Sequence, residues 1–241
     1  MRACVPAVLA AAFLLLASTA PRAASLEVAP VIVEIRAPGA TATLKLRNEG
    51  TGPLSAQIRV YRWTQVNGEE KLEPTDDVVA SPPIANLAAK TDYIVRLVRL
   101  SKQPLDAPET YRLLVDELPD PSAPKDRAVT LVLRYSIPVF FYPNGAADAK
   151  LAWSVEQRRG KLFVAATNSG DRHVRLAALK LNDAGGKTLS FGNGLTGYVL
   201  GRSTMRWAAP GNAKLAAGST IAISAQGDQG PINASSSVQA K

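Results

Sequence analysis

Few residues in this chain could carry chemistry. It has one histidine, His173, and one cysteine, Cys4, in 241 residues. That rules out a Cys/His zinc site, a cysteine–histidine nucleophile pair and a disulfide framework. The acidic pairs Glu69-Glu70 and Asp76-Asp77 stand in turn-rich sequence. Adjacent side chains on extended chain point opposite ways, so the pairs are poorly arranged for carboxylate catalysis and read as solvated loops. No Gly-x-Ser-x-Gly elbow, phosphate-binding loop or dinucleotide fingerprint occurs. His173, in Asn-Ser-Gly-Asp-Arg-His, reads as a hydrogen-bonded loop residue rather than a pH switch or ligand. Trp63, Trp153 and Trp207 read as core or interdomain packing rather than a sugar platform. The sequence points away from an enzyme, and no cofactor or metal is expected.

The elements that hold these residues belong to an exported globular chain. Hydrophobic residues make up 46% and charged residues 20%, with 17 Gly and 17 Pro, which fits neither a disordered polymer nor a polytopic membrane protein. The formal charge of +8 reads as solubility charge, or as a preference for anionic groups on a partner. No Lys/Arg run with interleaved aromatics supports nucleic-acid binding. Residues 1–25 carry Arg2, an apolar run from Val5 to Ala17 and the small residues Ala23-Ala24-Ser25. This is the pattern of a secretory signal peptide, cleaved after Ala24 or Ser25. The run is too short to span a bilayer, for which about 20 residues are needed, so no membrane insertion is expected.

Apolar and polar residues alternate at period two, with turn formers every 8–12 residues, the signature of β-sandwiches. Expected strands are Val31–Ile35, Thr41–Asn48, Ser55–Trp63, Asp92–Leu100, Thr110–Leu118 and Ala128–Phe141. After the turn-forming stretch 144–150, a second set follows at Leu151–Gln157, Lys161–Asn168, Val174–Asn182, Thr204–Ala208 and Thr220–Ala225. The division is thus a signal peptide 1–25, a first sandwich 26–143 and a smaller second sandwich 144–241. The polar tail Gly227–Lys241 reads as frayed.

Ala128–Phe141 is the unusual strand. It places Val129, Leu131, Leu133, Tyr135, Ile137 and Val139 on one face, where five or six residues in all is the usual strand length. Pro138 lacks an N–H and should lie at an edge or bulge. A long apolar edge invites another chain to pair with it. The alternative is a strand that crosses between sheets and buries every apolar side chain in its own core.

Three segments, 78–100 (VVASPPIANLAAKTDYIVRLVRL), 111–119 (YRLLVDELP) and 137–143 (IPVFFYP), together with NSGDRHVRL at 168–176 and GYVLGRSTMRW at 197–207, resemble the periplasmic chaperones of chaperone–usher pilus assembly, in particular their archaic branch. The resemblance implies an all-β boomerang of two immunoglobulin-like sandwiches without enzymatic activity. It implies a periplasmic chaperone that binds pilin subunits, lends them the last strand of its first domain and delivers them to an outer-membrane usher. Matching the closing proline to Pro143 puts the inserted residues at Val129, Leu131 and Leu133, with Tyr135 a fourth. Whether the free protein caps that strand by self-dimerising is left open. The alternative from another class is a secreted two-domain β-sandwich adhesin or carbohydrate-binding protein.

The resemblance has a gap. Classical members of the family anchor the C-terminal carboxylate of the pilin with an Arg on the first strand and a Lys near the end of the lent strand. Here those positions fall at or near Glu34 and at Pro138, and neither can do so. A hairpin closed around Pro119–Arg127 would set Arg112 opposite Arg134, a like-charge pair that a carboxylate between them would relieve. Arg112 and Arg134 are therefore the candidate carboxylate anchor. The alternatives are that turn geometry shifts the register by a residue, or that Asp116 and Glu117 neutralise the arginines, and Arg96 and Arg99 compete for the role.

Overall fold

The computed structural model describes residues 25–119, 132–211, 213 and 215–240. The first half forms β1 (Leu26–Ala29), β2 (Val33–Arg36), β3 (Thr41–Asn48), β4 (Leu54–Val66), β5 (Glu69–Pro74), β6 (Val78–Ser81), β7 (Ile84–Leu87), β8 (Asp92–Arg99), β9 (Glu109–Leu118) and β10 (Arg134–Tyr142). The second forms β11 (Leu151–Arg158), β12 (Lys161–Asn168), β13 (Val174–Asn182), β14 (Thr188–Ser190), β15 (Leu195–Val199), β16 (Ser203–Ala208), β17 (Thr220–Gly227) and β18 (Gly230–Ala240). The chain is all-β, as its alternating pattern requires.

Two sheets face each other in the first sandwich. One has the order β1-β3-β8-β6, the other β2-β10-β9-β4-β5 with β7 also paired to β4. Alternate residues of both close on one core, including Leu44, Leu46, Leu97, Tyr111, Leu113, Val139 and Phe141. The chain changes sheets between β1 and β2, through Pro30-Val31-Ile32, which belong to neither. This crossing escapes the sequence reading, which starts a single strand at Val31.

The second sandwich closes through its last strand. β18 pairs antiparallel with β17 from Gly230 to Ser237 and parallel with β11 from Val238 to Ala240. It thereby joins the two halves of an eight-stranded set over a core built on Val155, Leu176, Ile221 and Val238. The expected frayed tail is therefore wrong. Its alternation is carried by Ile232, Ala234 and Val238 among small polar residues, too weak a pattern to read as a strand but enough to pack. The Glu69-Glu70 pair is likewise strand rather than loop. β5 is exposed throughout and has no apolar face to announce it.

β18 is the strand both halves share, so a chain truncated after Gln229 is expected to lose folding of the second sandwich while the first still unfolds cooperatively. Urea unfolding followed by tryptophan fluorescence and near-ultraviolet circular dichroism checks this. An unchanged second sandwich would contradict it.

Candidate functional site: the open edge of β10

β10 is flanked unequally. β9 pairs with it along Arg134–Phe141, whereas β2 lies beside it only over Val139–Tyr142, in parallel. From Arg134 to Pro138 one side has no strand among the described residues, because β1 has gone to the opposite sheet. The antiparallel ladder tells which groups are free. The Glu117 N–H donates to the Leu133 carbonyl, and in such a ladder alternate residues turn both main-chain groups towards the same partner. Odd-numbered residues therefore bond to β9, and even-numbered ones face the other side. At the far end the Tyr142 carbonyl accepts from the Ala37 N–H on that side. The N–H and C=O groups of Arg134 and Ser136 point to the open edge. So does the position of Pro138, whose missing N–H breaks no bond to β9.

Side chains alternate in step with the hydrogen bonds, perpendicular to them. Ile137, Val139 and Phe141 point into the first core, while Phe140 and Tyr142 point away from it. Of the expected donor residues, Val129 and Leu131 lie outside the described residues. Leu133 is half-buried ahead of β10. Tyr135 packs against the chain's own first core, and its hydroxyl donates to the Leu26 carbonyl of β1. From Tyr135 onward, then, the odd-numbered face serves the chain's own core.

The expected opposition of Arg112 and Arg134 is not formed. Arg134 faces Asp116 and Arg112 faces Pro138, a register four residues away. Among the described residues, the main-chain bond from Glu117 to Leu133 continues the same register. The anion between two arginines is present, but it is internal. Asp116, 11% exposed, accepts from Arg59 Nη2 at 2.5 Å and from Arg134 Nε. Burial works to raise the Asp116 carboxyl pKa, and the two guanidiniums outweigh it and hold the group below the ordinary carboxylate range.

Arg112, 12% exposed, lies 3.7 Å over the Trp63 ring and 5.1 Å from that of Tyr198, with Glu70 at 3.9 Å. It is thus a cation packed among aromatics, and burial lowers its pKa. Arg99 is bound by Glu109 through two bonds of 2.8 and 2.9 Å, and Arg96 is exposed on the other sheet.

Beyond β10 the chain enters the junction between the sandwiches. Trp63, Phe140, Tyr142, Tyr198 and Leu200 form its apolar cluster. His173 stacks on Phe140 with centroids 3.8 Å apart. Its main-chain N–H donates to the Tyr142 hydroxyl at 3.3 Å, and that hydroxyl lies 2.6 Å from His173 Nδ1. The hydroxyl thus meets both the main-chain N–H and the ring nitrogen of His173 and ties the end of β10 to the loop before β13. Burial pushes the imidazole down to about 4, with Arg172 and Arg112 adding to it and Asp228 opposing. As expected, His173 is a hydrogen-bonded residue of the loop that enters β13, and there it also packs in the junction. Trp153 and Trp207 pack on the second core, so the three tryptophans form no platform. No group of three metal-ligating side chains occurs among the described residues, and no helix there is long and apolar enough to cross a membrane.

The profile of the pili and flagellar-assembly chaperones, PapD N-terminal domain, matches residues 25–147, the segment that builds the half-covered β10. The chain belongs to this chaperone family. Comparison with curated proteins returned no match. Among solved structures, this chaperone is similar to a chain of the CsuC–CsuE chaperone–tip adhesion subunit pre-assembly complex from the archaic chaperone-usher Csu pili of Acinetobacter baumannii. The identity is 26% over 90% of this chain and 100% of that one, with a TM-score of 0.70. The fold is shared with the YadV chaperone, at 19% identity over 88% and 99% and a TM-score of 0.62. A chain of the Salmonella enterica SafA pilin–SafB chaperone complex shares it too, at 19% over 88% and 96% and a TM-score of 0.60.

A histidine held neutral in the fold and free to protonate when unfolded contributes stability above its unfolded pKa, near 6.5, and loses it as pH falls through about 4. The urea midpoint of the chaperone should fall between pH 6.5 and 4, and that of His173→Gln should fall less over the same interval. Parallel curves would contradict this account of the junction.

Proposed function

We propose that this chaperone works in the periplasm, holding pilin or tip-adhesin subunits by lending them the segment Val129–Leu133 that leads into the open edge of β10, and passing them to an outer-membrane usher. The observation that carries this reading is the stretch Arg134–Pro138, which no strand covers on one side among the described residues and whose even-numbered main-chain groups face that side. A strand of the pilin laid there completes the ladder and sets the register. Val129, Leu131 and Leu133, of the same parity as the core residues that follow, then enter the unfilled groove of the pilin. Tyr135, already packed on its own core, marks the end of the donated face.

Each aliphatic side chain fully buried is worth about 1.5–3 kcal/mol, so three supply on the order of 4–9 kcal/mol before the costs of association. A slip of one residue would offer Thr130, Val132 and Arg134 instead, and Arg134 is bound to Asp116 on the opposite face. The similarity to a chain from a pre-assembly complex of a chaperone with a tip adhesin supports the class of partner. Release needs no nucleotide in this reading, because a better-fitting strand from the next pilin displaces the lent one.

Leu131→Asp combined with Leu133→Asp should leave the circular dichroism of the chaperone intact and reduce co-purification of its pilin at least tenfold. Val132→Asp, of the other parity, should change it less than threefold. Equal losses from both would show that the face has been assigned wrongly.

A further inference from the structure

The longest strand of the first sandwich outruns it. β4 is paired with β9 as far as Arg62, then continues to Val66 with β5 beside it. It turns at Asn67 and Gly68, with φ of 56° and 82°, the positive-φ pair of a tight hairpin. This projecting tip reaches the second sandwich. Gln65 Nε2 donates to the Tyr198 carbonyl at 2.7 Å, and Gln65 Oε1 accepts from the Leu200 N–H at 3.0 Å. One side-chain amide thus satisfies two main-chain groups at the end of β15.

Next to it, the Gly68 carbonyl accepts from the Arg206 N–H at 3.0 Å, making a parallel bridge to Met205 on the edge strand β16. Arg206 Nη2 returns a bond to the Asn67 carbonyl at 2.9 Å. Position 68 needs glycine twice over. Its φ suits no side chain well, and a Cβ would lie 2.9 Å from the Arg206 Cβ.

The apolar part of the junction around Phe140 supplies area but little direction, since apolar burial is non-directional, and its directional contacts are confined to the Tyr142 hydroxyl and His173. Hydrogen bonds weaken steeply off-axis, so four of them fix an angle. We infer that the β4–β5 tip is the clasp that sets the orientation of the second sandwich relative to β10, with Gln65, Asn67 and Gly68 as positioning residues for the capture of pilins. This rests on the strand-donation reading. β10 runs straight into the junction, and its nine residues span about 30 Å at 3.3 Å each. A pilin lying along that edge extends towards the second sandwich, whose orientation decides whether it is held there too. Tip contacts of this kind also cover the β16 edge against pairing with a stray strand.

The test uses Gln65→Leu and Gly68→Val in a Cys4→Ser background. Spin labels at Thr43→Cys and Ser235→Cys, both exposed, report the distance between the sandwiches by double electron–electron resonance. The parent should give a single narrow distribution. Both variants should broaden it at least twofold, keep the parental circular dichroism and capture the co-purifying pilin or adhesin at least fivefold less well. An unaltered distribution in both variants would overturn the clasp, and a broadened one with undiminished capture would overturn its positioning role. A parent chain that captures neither pilin nor adhesin would sink strand donation alone, and the distances would still decide the clasp.

Discussion

Main-chain N–H and C=O groups have to be paired somewhere, and a sheet edge that leaves them free is normally short, charged or covered. In β10 the covering is partial. β2 closes the C-terminal half, and the change of sheet at Pro30–Ile32 takes β1 away from the rest. The open length is therefore set by where the first strand crosses over, a long way in sequence from the segment it exposes. The other features of the site follow from this. Odd residues are bonded to β9, even ones look outward, Pro138 breaks nothing, and the Tyr135 hydroxyl ties the open strand to the departed β1.

Charge plays a supporting role. Asp116 gathers Arg59 and Arg134 on the outer face of the sheet, where either arginine without the carboxylate would meet like charge. Arg112 has no comparable carboxylate and instead packs between Trp63 and Tyr198 at the junction. The three arginines serve the chaperone's own sheet and its interface between sandwiches. In the proposed strand donation, recognition is left to main-chain groups and aliphatic side chains, which suits a partner defined by a missing strand rather than by a particular side chain.

The all-β class, most of the strands and the core-facing alternation of β10 are legible in the sequence, because they rest on period-two alternation that burial enforces. What stays hidden depends on distance in sequence or on weak contrast. Small residues carry β18, an all-polar face conceals β5, and nothing local marks the sheet change at Pro30. The hairpin register has no local signature, so the sequence pairs Arg112 and Arg134 with each other instead of with Pro138 and Asp116. Gln65 gives no signal at all, since a lone amide becomes informative only when the second sandwich is beside it.

Amide hydrogen exchange along β10, free and with a bound pilin, tests the central claim most directly. Arg134 and Ser136 should exchange rapidly in the free chaperone and become protected in the complex, while Tyr135 and Ile137, bonded to β9, should be protected in both. Protection of Arg134 and Ser136 before any pilin is present, or none gained on binding, would contradict an edge kept open for a partner's strand.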